Sequence, residues 1–158
     1  MSQDQFIHTL DRWIGVMMHN SMLNLTRYAR EHGYSVQQLM TMYFIHRKGP
    51  CGVTDLGDHM GVTSAAASQL LERLVQQGLV LRTEDPNDRR GKLVALTEQG
   101  EQILDESMLA RSRWLGELEA KLSAEEYTQA IHALNMLIDK ARDLDRTSES
   151  AFGEIHQA

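Results

Sequence analysis

Between Thr54 and Leu96 the sequence sets two short helical patterns against one glycine and follows them at once with two β-rich runs. Thr54–Met60 (TDLGDHM) closes at Gly61, and Thr63 then opens a second pattern from Ser64 to Gln77. In that second pattern Ala67, Leu70, Leu71 and Leu74 recur on one helical face before Gly78 stops it. The runs Leu79-Val80-Leu81 and Leu93-Val94-Ala95-Leu96 bracket the stretch TEDPNDRRGK, where Pro86 and Asn87 supply turn chemistry. That loop is too long for a two-residue turn, so its tip is expected to project. Two short helices joined at a tight turn, with a hairpin behind them, predict a winged helix-turn-helix.

The flanks are helical. Ser2 with Gln5 is a capping-box pattern, and Phe6, Ile7, Leu10, Ile14, Met17 and Met18 recur at helical spacing towards a stop at Gly33. A first helix of roughly 25 to 30 residues exceeds the usual globular length and calls for a partner surface. Ser35 with Gln38 opens a second helix that ends in Arg47-Lys48 before Gly49-Pro50. Thr97 opens another long helix, and Ser123 with Glu126 opens a last one. From about Asp145 the apolar stripe gives out, which predicts a frayed, flexible tail over 146–158. The fold class is therefore mainly α with a small two- to three-stranded β wing. Residues 35–96 are expected to form the winged lobe, and residues 1–33 and 97–145 long flanking helices.

Composition removes several alternatives. The apolar runs are too short to cross a bilayer and the first residues carry no signal pattern, so a cytoplasmic protein is expected. One cysteine leaves no internal disulfide to form. No phosphate loop, nucleophile elbow or metallohydrolase helix is present, which argues against an enzyme. The seven histidines are scattered with no i,i+4 pair, so neither a metal site nor a cofactor is expected. The formal net charge of −6 disfavours nucleic acid only on average, because a local arginine cluster can still meet phosphate.

Val53 to Gly100 closely resembles the core signature of the multiple antibiotic resistance regulator (MarR) family. The resemblance rests on Leu74 with Gly78-Leu79-Val80, on Asp85-Pro86 with Asp88-Arg89-Arg90, and on Leu96-Thr97 with Gly100. It implies a homodimeric, two-fold symmetric transcription regulator that binds double-stranded DNA, its dimer interface made by the first and last two helices. Two departures bear on affinity. The second helix of the pair begins Ser64-Ala65-Ala66, where the family commonly carries a basic or long polar residue. Gly52 to Leu96 also holds five basic residues against six acidic ones, which predicts a shallow salt dependence.

The expected contacts follow from helix geometry. With the apolar stripe inward, Ser64, Ala65, Ser68 and Gln69 turn outward, and Arg73 lies on the same helix. Gln69 can bond bidentately to adenine, and Ala65 can meet a thymine methyl. Thr54 and Thr63 sit near helix starts, where a hydroxyl serves a phosphate, a cap or both. In the wing, Arg89, Arg90 and Lys92 suit a narrow minor groove, and Asp88 can hold Arg90 or pair with Arg73. The resemblance also implies a cavity for a small aromatic or phenolic effector. Trp13, Met17 and Asn20 share a face of the first helix and could line it with Tyr43 and His46. Cys51 is a candidate redox sensor, the alternative being a packed, inert thiol. A winged-helix domain turned protein-interaction module is the competing class.

Overall fold

In a computed structural model, residues 3–84 and 92–155 are described, with side chains over residues 4–84 and 92–143. The chain divides into two units, Met1–Trp114 and Leu115–Ala158. The first holds α1 (Gln3–Glu31), α2 (Val36–Lys48), β1 (Cys51–Gly52), α3 (Val53–Met60), α4 (Ser64–Gln76), β2 (Val80–Glu84), β3 (Lys92–Leu96) and most of α5 (Glu98–Glu119). The second holds the end of α5 and α6 (Ala124–Ile155).

The start signals work as the sequence implies. Ser35 Oγ accepts the Gln38 amide at 3.1 Å while Gln38 Oε1 accepts the Ser35 amide at 2.8 Å, a reciprocal capping box. Thr63 Oγ1 accepts the Ala66 amide at 3.2 Å at the head of α4. Ser123 and Glu126 make the same reciprocal bonds before α6. Ser2 lies outside the described residues. Between α3 and α4 the chain turns through Gly61 at φ 63°, a left-handed conformation that disfavours a side chain.

Three antiparallel strands form the sheet in the order β1-β3-β2. Val80 faces Leu96 and Glu84 faces Lys92 across the wing, and Cys51 faces Val94 on the other edge. The sequence left two or three strands open; the described residues form three. A two-residue strand shows no periodicity, so β1 could not be read from its own residues. Helix α3 begins at Val53 and not at Thr54. Helix α6 runs past Asp145 to Ile155, beyond the end of its apolar stripe, since an established helix propagates at little cost through tolerant residues.

The lobe's core gathers Met42, Ile45, Leu56, Ala67, Leu71, Leu74, Leu79, Val94 and Leu104. Each large aliphatic side chain removed from water contributes about 1.5–3 kcal/mol. A smaller cluster of Leu25, Tyr28, Ala29 and Leu39 packs α1 on α2. The Tyr28 hydroxyl also donates to Glu106 Oε2 at 3.1 Å, tying α1 to α5. Burial first, then that bond and the Glu106 charge, push its pKa up to about 12, so the phenol stays a donor. No helix among the described residues is long and apolar enough to cross a membrane.

The hairpin is fastened to α5 at its base. The Thr97 hydroxyl donates to the Gly78 carbonyl at 2.6 Å and accepts the Gly100 amide at 3.0 Å. Gly100 lies so close to Leu79 that an added Cβ would collide with the Leu79 carbonyl, which is backbone and cannot swing away. A glycine-to-alanine change inside a helix ordinarily stabilises by up to about 1 kcal/mol. Gly100→Ala is expected to do the reverse, costing roughly 2 kcal/mol and several degrees of Tm. Thermal unfolding followed by circular dichroism reads the sign directly, and an unchanged or raised Tm would refute the close-packing account.

Candidate nucleic-acid interface

Helix α4 buries Ala67, Leu70, Leu71 and Leu74 and leaves Ser64, Ala65, Ser68, Gln69, Glu72 and Arg73 exposed. The outward set expected from the sequence is thus presented together on one helix. Thr63 is exposed, but its hydroxyl oxygen is engaged in the cap bond to Ala66. Thr54 is exposed in the first turn of α3, where the helix-start bond is made instead by Asp55, whose Oδ2 accepts the Gly52 amide at 3.0 Å. A capping role therefore belongs to Thr63 and not to Thr54.

Asp88, Arg89 and Arg90 lie outside the described residues, as do Pro86 and Asn87. Lys92 is exposed at the start of β3, opposite Glu84. A tie between wing and helix that the sequence reading missed runs from Arg82 Nη2 on β2 to Glu72 Oε2 on α4, at 2.8 Å. The two residues stand either side of Gly78, and only the folded hairpin brings them together. A second pair, Lys48 Nζ to Asp55 Oδ1 at 2.9 Å, joins the end of α2 to α3. That hydrogen bond from Lys48, followed by the Gly52 amide, holds the Asp55 carboxyl below its ordinary range. Phe44 stacks on His59 at 4.0 Å between ring centres, joining the same two helices.

The far end of α4 is anchored as well. Gln38 on α2 is buried, and its Nε2 donates to Gln77 Oε1 at 2.7 Å. A buried amide needs such a partner, and this one ties the C-terminal cap of α4 to α2. With Arg82–Glu72 along its length and Thr63 at its head, α4 is restrained throughout.

Of the five residues expected to share a ligand cavity, Met17 lies in a different hollow from Trp13 and Asn20. Met17 lines a cavity of about 140 Å³ with Met18, Ser21, Met22 and Leu25 of α1, Met40 of α2 and Arg111 of α5. Trp13 and Asn20 line a separate, shallow hollow along α1 with Thr9, Arg12 and His19. Trp13 also packs at a tilt on Trp114, with ring centres 6.1 Å apart. Asn20 donates to the Val16 carbonyl. Tyr43 packs against the lobe core, and His46 Nδ1 meets Glu101 Oε2 at 2.7 Å between α2 and α5. Helical spacing placed three residues on one face of α1 but carried no information on which neighbours that face meets.

Cys51 is 2 % exposed on β1. Burial pushes its thiol pKa up, opposed by Lys48 and reinforced by Asp55, so little thiolate is present at neutral pH. Alkylation by iodoacetamide at pH 7.5 is expected to be at least roughly tenfold slower in the native protein than in denaturant. Equal rates would restore Cys51 as a reactive sensor.

Comparison with known proteins places this arrangement. The MarR family pattern matches residues 32–91. The helix-turn-helix-type transcriptional regulator YdgJ of Bacillus subtilis is 28% identical over 113 residues, 72% of this chain and 69% of the relative. The transcriptional repressor MdtR of the same species is 24% identical over 140 residues, 89% of this chain and 90% of its own. The transcriptional regulator Tm0710 of Thermotoga maritima superposes with a TM-score of 0.80 at 21% identity, over 86% of this chain and 96% of that one, and establishes the fold alone. A MarR variant from E. coli, in complex with operator DNA, superposes with a TM-score of 0.55 at 26% identity, over 87% of this chain and 99% of that one. By sequence pattern over residues 32–91 and by fold, the chain is similar to the MarR family and has the winged helix-turn-helix architecture of those proteins.

Proposed function

We propose that the chain is a homodimeric, sequence-specific transcriptional regulator, acting as a repressor, that binds a two-fold symmetric operator and is released by a small ligand. The observation that carries this reading is the exposed polar face of α4, set opposite its buried stripe and tied to the wing strand through Glu72 and Arg82. Such a helix suits the major groove, with the wing reaching the flanking backbone. The operator complex of the E. coli relative and the repressor designation of MdtR support the same reading.

Electrostatic grip falls to few residues. Within the lobe, Lys48 and Arg82 are already paired with carboxylates. Besides Arg47 at the end of α2, the cations left on α4 and the wing are Arg73, Arg89, Arg90 and Lys92, and these supply the grip. Replacing Arg89 and Arg90 together by alanine is expected to weaken specific duplex binding at least tenfold at physiological salt and to leave Tm unchanged. Fluorescence anisotropy with promoter-length duplex, against excess non-specific DNA, makes the test. Wild-type affinity in the double variant removes the wing role; absence of selective binding in the parent favours a protein-interaction module.

Dimerisation is supported by apolar surface that the chain leaves uncovered. On α6, Tyr127, Ile131, Leu134 and Ile138 recur at i, i+4, i+7 and i+11, each 42–45 % exposed. Phe6, Ile7 and Ile14 on α1 are exposed too. A stripe of this kind marks an association surface. Leu134→Glu with Ile138→Glu is expected to convert a dimer to a monomer in sedimentation equilibrium; an unaltered mass would place the interface elsewhere. For the ligand, the methionine-lined cavity with Arg111 at its wall suits a small aromatic or phenolic anion. Release of duplex by such an anion in the anisotropy titration, lost in Arg111→Met, is its test.

A further inference from the structure

On α4 the residues furthest from the core are Ala65, Gln69, Glu72 and Gln76, which recur at i, i+4, i+7 and i+11 and are all exposed. They lie opposite the stripe of Ala67, Leu70, Leu71 and Leu74. This outer line holds a methyl group, two carboxamides and one carboxylate. The carboxylate of Glu72 is held by Arg82 at 2.8 Å, which draws it towards the wing and away from accepting a cytosine amine. No lysine or arginine stands on the line, and Arg73, the one cation of the helix, lies on its flank. The bidentate contact that specifies guanine needs a cation at such a position.

We infer that α4 reads A·T pairs at the centre of each half-site, with Gln69 as the residue that specifies adenine and Ala65 as the one that accommodates a thymine methyl. Gln69 presents a donor and an acceptor side by side, the pattern that matches adenine N7 and N6. Ala65 stands one helical turn before it, about 6 Å along the axis, which is roughly two base steps. Its short side chain leaves room for a methyl group. The inference rests on the DNA-binding reading above and adds to it the identity of the bases read.

The test is selection from a pool of duplexes with a randomised core, using the full chain as wild type, Gln69→Ala and Gln69→Arg. Gln69 is exposed, so all three are expected to fold with the same Tm. The wild type is expected to enrich an inverted repeat with adenine at one position of each half-site, preferred roughly tenfold over other bases. In Gln69→Ala that position becomes indifferent while its neighbours keep their preferences, and in Gln69→Arg it changes to guanine. A guanine or cytosine there in the wild type, or an adenine preference that survives Gln69→Ala, overturns the assignment and leaves DNA binding standing. A wild-type pool with no enriched sequence overturns both readings.

Discussion

Four apolar side chains, Ala67, Leu70, Leu71 and Leu74, fix the face that α4 presents outward. Burying Ala67, Leu71 and Leu74 in one cluster with Leu56 of α3 and Val94 of β3 sets the rotation of the helix about its own axis. Once that rotation is set, the outward residues have no alternative orientation, because helical periodicity leaves a single opposite face. The polar tail of each neighbouring element then serves the same end. Gln38 holds the helix end from one side, and Arg82 holds its middle from the other. The hydrophobic term supplies the stability, while the hydrogen bonds and the ion pair supply direction, since an exposed pair such as Arg82–Glu72 contributes little free energy.

Much of this arrangement was legible in the residues themselves. Ser35, Thr63, Thr97 and Ser123 announce helix starts through short-range chemistry, and each makes the expected bond. The inward and outward faces of α4 follow from spacing alone. What spacing cannot supply is the partner across a fold. Glu72 and Arg82 are ten positions apart in sequence and meet only because the chain reverses at Gly78. Gln38 reads as a helix-start residue, which it is, and nothing local shows that its amide also reaches Gln77. The cavity beside Met17 was hidden for the same reason: Met17 is legible from its own helix, whereas Met40 and Arg111 come from two others.

The electrostatics explain how an acidic chain can present a face to a polyanion. Charge is not absent from the lobe, but part of it is committed to internal pairs. Lys48 is neutralised by Asp55 and Arg82 by Glu72, and in both cases the pair joins two elements of the lobe. Cations used as fasteners hold shape but add little long-range attraction. On the proposed reading, discrimination falls to close-range complementarity of uncharged groups, which is the chemistry that Ser64, Ala65, Ser68 and Gln69 offer.

The two hydrogen bonds of the Thr97 hydroxyl have a consequence for how this surface can change over time. It closes the hairpin at its root, where Gly78 leaves α4 and Gly100 enters α5. A loop closed at its root is insulated from its own tip. Each doubling of tip length adds only about 0.6 kcal/mol of closure entropy. Insertions, deletions and exchanges between β2 and β3 can therefore accumulate without loosening the seat of the helix. The fold separates a part that must be inherited intact from a part that is free to drift towards new targets.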